Sequence, residues 1–74
     1  MRPEINNASI LGFAPYNYPS GVILAERWED HQIVKFTAII GDIEESEEWA
    51  DEHVYKGIGA MADARADFLR RAGA

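Results

Sequence analysis

Apolar positions divide the chain into an extended first half and a helical second half. Residues 8–13 (ASILGF) form a short apolar run that reads as a strand, weakened by Gly12. Residues 14–21 hold two prolines, an asparagine and a glycine, the composition of a loop. Residues 22–28 and 32–40 are rich in β-branched and aromatic side chains and read as strands. Glu29, Asp30 and His31 separate them. With Asp30 and His31 as a two-residue turn, Glu26 falls opposite Lys35. Opposite charges across a ladder contribute roughly 0.2–1 kcal/mol. The same register puts Ile23, Ala25, Val34, Phe36, Ala38 and Ile40 on one face, with Arg27 at its end. The other face holds Val22, Leu24, Glu26, Trp28, Ile33, Lys35, Thr37 and Ile39. The first face is the expected core. The second is more apolar than a water-facing surface requires.

From Asp42 onward the pattern predicts a helix. Asp42 with Glu45 three residues later has the form of a capping box, and Ser46 is a second N-cap candidate. Arg70 and Arg71 suit the negative end of a helix dipole, and Gly73 suits a stop. Ala50, Val54, Ile58, Met61, Ala64 and Phe68 are spaced 4, 4, 3, 3 and 4, averaging the helical 3.6. Tyr55, Ala62 and Leu69 widen this stripe. Glu48, Glu52, Lys56, Asp63, Asp67 and Arg71 fall opposite, with Glu52–Lys56 and Asp67–Arg71 in favourable i,i+4 order. The predicted fold is α+β: a three-stranded antiparallel β-meander packed against one long C-terminal helix (βββα), as one domain over residues 1–74. One helix covers one face only. The aromatic loop or a second copy of the chain would cover the other. A homodimer interface through Val22, Leu24, Trp28, Ile33 and Ile39 is the expectation.

Composition bounds these readings. The chain has 74 residues and no cysteine. A domain of this size buries only about 60% of its unfolded surface, and its core supplies roughly 3–5 kcal/mol. Disulfides and thiolate metal sites are excluded. No run approaches the ~20 apolar residues of a membrane span, and no signal-peptide core follows the N-terminus, so the expected location is the cytoplasm. The net charge of -6 is unevenly placed. Asp42, Glu44, Glu45, Glu47, Glu48, Asp51 and Glu52 form a block without a base, and the other six acids are outweighed by seven bases.

Candidate chemistry is sparse. His31 and His53 each have neighbouring carboxylates, but a sheet turn and a helix start are separate places. Ser9, Ser20 and Ser46 lack a nucleophile-elbow setting. No catalytic residue, metal site or cofactor is expected. Residues 57–62 (GIGAMA) match a relaxed dinucleotide pattern, but in an acidic setting that repels a pyrophosphate. Gly57, Ala60 and Ala64 better suit close approach of a helix to a sheet or to another helix. Arg65, Arg70 and Arg71 form a small basic cluster interrupted by Asp67, and the overall charge disfavours direct nucleic-acid binding.

The acidic block is the strongest surface signal. Capping accounts for two or three of its acids, not seven. Glu44/Glu48 and Glu48/Glu52 would repel along a helix. Trp49 lies among the acids as a candidate anchor. The expected function is a small non-enzymatic protein-binding module. Its acidic helix start (Glu44, Glu45, Glu47, Glu48, Trp49, Asp51, Glu52) would contact a basic protein surface, one version being phosphate mimicry that blocks a nucleic-acid-handling partner. In size and charge alone the chain is similar to accessory proteins of phages and mobile elements. The alternative is an assembly subunit working through the apolar sheet face. The Pro15–Pro19 loop, with Tyr16 and Tyr18, is a further contact candidate, although its rings are better read as caps on an open end of the core.

Overall fold

The computed structural model describes residues 1–73. Its elements are β1 (Glu4–Ile5), β2 (Ala8–Pro15), β3 (Gly21–Glu29), β4 (Gln32–Ile40), β5 (Ala50–Tyr55) and α1 (Ala60–Gly73). The strands form a single five-stranded antiparallel sheet in the order β1-β2-β3-β4-β5. The α+β class agrees with the sequence. The expected three strands and the helix beginning near Asp42 do not.

Local chemistry accounts for both differences. Asn6 and Asn7 both adopt positive φ (47° and 65°) and close a two-residue hairpin between β1 and β2. Asparagine tolerates this left-handed region better than most residues. Asp42 does cap backbone N–H groups, those of Glu44 and Glu45, at 2.9 and 3.1 Å. The turn that it closes ends with Ser46 N–H on the Asp42 carbonyl, and the next element is strand β5, not a helix. Ala50 and Val54 are four residues apart, a spacing that serves a period of two as well as one of 3.6. Here they lie on strand β5. Gly57 and Gly59, at φ 80° and 87°, reverse the chain before α1. They act through backbone freedom and not close packing, since a Cβ on either would meet nothing within 4 Å. The close packing belongs to Ala60 and Ala64, which are buried against the sheet.

The β3–β4 hairpin has the expected register. Asp30 and His31 take positive φ (49° and 65°) in the turn, and Glu26 pairs with Lys35, joined by an ion pair. Ile23, Ala25, Val34, Phe36, Ala38 and Ile40 are fully buried on the first face. The helix does not cover them. Ile5 of β1, Ile10 and Phe13 of β2, and Ile43 and Trp49 of the β4–β5 connection close this core. Trp49 stacks on Phe36 with ring centroids 5.3 Å apart, while the Arg27 guanidinium lies 4.5 Å from the same Phe36 ring. At Gly21 a Cβ would sit 2.3 Å from the Ala14 carbonyl oxygen, so only glycine allows β2 and β3 to meet there.

Helix α1 packs on the second face, against β3, β4 and β5. The Phe68 ring lies over Gly12, 3.5 Å from where a Cβ would be. Val22 and Leu24 are 3% and 6% exposed. They are thus largely covered within the chain, which leaves them too little surface for an interface with a second copy. Trp28, Ile33 and Ile39 of the same expected interface remain exposed at 66%, 46% and 38%. No helix among the described residues is long and apolar enough to cross a membrane.

Candidate functional site

Residues 42–52 form a clamped connection that runs into the sheet-edge strand β5. Arg2 reaches across to them: its guanidinium donates to the Ser46 carbonyl at 2.8 Å and to Glu47 Oε1 at 3.0 Å. The N-terminal ammonium pairs with Glu44 at 3.1 Å. Arg27 holds Glu52 with two hydrogen bonds, 2.7 and 2.9 Å, and Trp49 Nε1 donates to Glu52 Oε2 at 2.6 Å. The hydrogen bond from Arg27 holds the Glu52 carboxyl below its ordinary range; partial burial opposes this and the Trp49 N–H assists it. Glu52 in turn raises the Arg27 guanidinium further.

The seven acids therefore separate into two groups. Glu44, Glu47 and Glu52 meet cations, and Asp42 serves the turn. Glu45, Glu48 and Asp51 are exposed and meet no cation among the described residues. Glu48, Trp49 and Glu52, with Asn6 and Arg27, line a polar cleft of about 390 Å³. Trp49 is half-buried, with its ring committed to the core. The expected Glu52–Lys56 pair does not form, because β5 replaces the helix. Lys56 instead approaches Glu29 at 3.9 Å.

A second polar constellation, which the sequence reading placed on a solvated helix face, joins α1 to the sheet. Asp67 is 1% exposed. Thr37 Oγ1 donates to its carboxylate at 2.7 Å, and His53 Nδ1 lies 2.8 Å away. Arg70 forms an ion pair with it, replacing the expected Arg71. Arg71 Nη1 instead donates to Thr37 Oγ1 at 2.8 Å. Burial pushes the Asp67 carboxyl up, but hydrogen bonds from Thr37, His53 and Tyr55 outweigh it and hold the pKa at about 2. Desolvation raises the Tyr55 phenol, and its hydrogen bond to the Asp67 carboxylate adds to the effect. No buried side-chain nitrogen or oxygen lacks a partner among the described residues.

The signal for this network was present. Ala60, Ala64, Asp67 and Phe68 recur at i, i+4, i+7 and i+8, so Asp67 sits on the apolar stripe. A charge there points to a buried partner set.

No family model, no curated protein and no solved structure matches this chain. Function is therefore read from the residues alone. His53 is held by a carboxylate, as an oriented base would be, but its neighbours are the helix-to-sheet contacts of Thr37, Tyr55 and Arg70. His31 lies apart in the exposed β3–β4 turn. Among the described residues no group of three or more histidine and carboxylate side chains is placed to hold a metal ion.

Proposed function

We propose that the protein is a small non-enzymatic binding module that engages a basic surface on another protein through residues 42–52. The observation that carries this reading is the clamped acidic edge. Met1, Arg2 and Arg27 fix the segment, while Glu45, Glu48 and Asp51 are exposed and meet no cation among the described residues. Pinning the segment lowers the entropy lost on binding. Unmatched carboxylates on a fixed segment speed encounter with a basic partner and select its register. The acids act from a turn and an edge strand, not from a helix start. A nucleic-acid-binding groove is one basic surface of the right sign, so inhibition by phosphate mimicry is the specific form proposed. The proposed place of action is the cytoplasm.

The test is capture of partners from the native host at low and high salt with wild type and with Glu45→Lys/Glu48→Lys/Asp51→Lys. The same basic protein should be retained by wild type at low salt, released at high salt and absent from the variant. Equal retention by the variant overturns the proposal.

The exposure of Trp28 and Ile33, cross-strand partners at the hairpin end, favours a second reading as an assembly subunit. On that reading Trp28→Ser/Ile33→Ser lowers the mass measured by light scattering, and the acidic changes leave it unaltered.

A further inference from the structure

Basic side chains on this acidic chain are almost all matched. Arg2, Arg27, Lys35, Lys56 and Arg70 each approach a carboxylate. Arg65 and Arg71 make no ion pair among the described residues, and their settings differ. Arg65 is exposed to water. Arg71 is half-buried, and its Nη1 is fixed on the hydroxyl of the fully buried Thr37 at 2.8 Å.

Arg71 also forms one wall of a cleft of about 390 Å³, lined otherwise by Tyr16, Ser20, Gly21, Val22 and Ile39. Four parts of the fold meet there: the β2–β3 loop, β3, β4 and the last turns of α1. Val22 and Ile39 supply apolar surface and Tyr16 an aromatic wall. The Ser20 hydroxyl is engaged locally with the Tyr16 and Asn17 carbonyls. Among the described residues, Arg71 is thus the one charged group in the lining. Asp67, the carboxylate reached through Thr37, is already held by Thr37, His53 and Arg70. A guanidinium has five N–H donors in a planar fork, and one Nη1 contact leaves several of them free. An apolar cleft of this volume with one placed polar group has the form of a small-ligand site.

We propose that this cleft binds a small amphiphilic monocarboxylate of the medium-chain fatty-acid type. The carboxylate meets the Arg71 guanidinium, and the chain lies against Val22, Ile39 and Tyr16. The net charge of -6 makes the preference for an anion informative. Long-range electrostatics favour cations near this protein, so selection of a carboxylate must come from the local arginine.

The experiment is a titration of the isotopically labelled protein with octanoate, octanol and octylamine, each below its aggregation concentration, followed by backbone amide shifts. Octanoate is expected to give saturable shifts centred on Gly21, Val22 and Ile39. Octanol should bind about tenfold more weakly or worse, the loss expected for one charge-assisted hydrogen-bonded contact. Octylamine should not bind there. Arg71→Gln should bring octanoate down to the level of octanol and leave octanol unchanged. Ile39→Trp, which fills the cleft, should abolish both. The proposal is overturned if octanoate and octanol bind the native chain equally, if the shifts lie elsewhere or do not saturate, or if Arg71→Gln retains the octanoate affinity. Should that variant not fold, the three-ligand series on the native chain decides alone.

Discussion

Asp67 and the acids of residues 42–52 present the same functional group in two settings. Asp67 is 1% exposed and is surrounded by Thr37, His53, Tyr55 and Arg70. Glu45, Glu48 and Asp51 are exposed and meet no cation among the described residues. The block of seven dominates the charge of the chain, yet its open members contribute nothing by contact to the folded state. The single buried acid is invisible in the net charge and joins helix to sheet. A carboxylate matters to stability by what it leaves unpaired when removed, and to recognition by what it leaves unpaired when present.

The sharpest way to break the comparison is to remove the buried acid. Asp67→Ala leaves the Arg70 guanidinium, the Thr37 hydroxyl and His53 without their acceptor. Arg70 and His53 stay open to water, at 70% and 50% side-chain exposure, so the loss falls mainly on the buried Thr37 hydroxyl and on the helix-to-sheet contact, about 2–3 kcal/mol. Urea unfolding should therefore show a chain that has lost a large part of its stability. Glu48→Ala should change the stability by about 0.5 kcal/mol or less. Similar effects from the two substitutions would remove the distinction.

Acid should titrate the same difference. The Asp67 carboxyl has a pKa of about 2 in the folded chain against an ordinary 3.8. A depressed folded value means that the unfolded state binds the proton more tightly. The contribution is complete above the ordinary value and is lost as pH falls through about 2. Its size is about 2 kcal/mol, from 1.36 kcal/mol for each pH unit of displacement. Carbon-detected titration of the Asp67 carboxyl should find this low midpoint. Thr37→Val, which removes one donor, should raise it. A midpoint near 3.8 in the native chain would show that the network does not hold the charge.

How much of this was legible in the sequence depended on whether one period or two fitted the residues. The β3–β4 hairpin was readable because alternation, a two-residue turn and the Glu26–Lys35 match all agreed on one register. Strand β5 was not, because Ala50 and Val54 are four apart and fit a helix as well as a strand. Only the spacings of three beyond Ile58 belong to helix alone. Strand β1 is two residues long and had no pattern to read beyond the Asn6–Asn7 turn that makes it. The acidic segment was identifiable as charge, but not its division into clamped and open carboxylates. That division depends on Arg2 and Arg27, which are distant in sequence. Asp67 falls opposite the apolar stripe only when one helix runs from Ala50 to Phe68, and residues 50–55 are strand; its place between Ala64 and Phe68 is the contrary signal.

An intermediate case sharpens the boundary. Arg27 and Glu52 are partly buried, at 22% and 32% side-chain exposure, and joined by two hydrogen bonds. Glu52→Gln should cost about 1 kcal/mol, above an ordinary surface pair because of the two-pronged geometry and below Asp67 because water still reaches both groups. Urea midpoints measured beside those of Asp67→Ala and Glu48→Ala should fall in that order.

The smallest expected effect on folding is also the most informative about use. Glu45→Gln/Glu48→Gln/Asp51→Asn removes three charges that meet no cation among the described residues. Nothing in the fold loses a partner, and like charges along residues 42–52 are relieved. The change in stability should therefore be about 0.5 kcal/mol or less, with its sign toward gain. Partner capture should nevertheless fall, and the part that remains should lose its dependence on salt, because the carboxylates that set the encounter are gone. A variant that is destabilised by several times this amount would show that the open acids hold the fold after all. A variant that is equally stable and captures its partner with unchanged salt dependence would show that they are only solvating. Stability retained with binding lost is the outcome that separates the two kinds of carboxylate in one measurement.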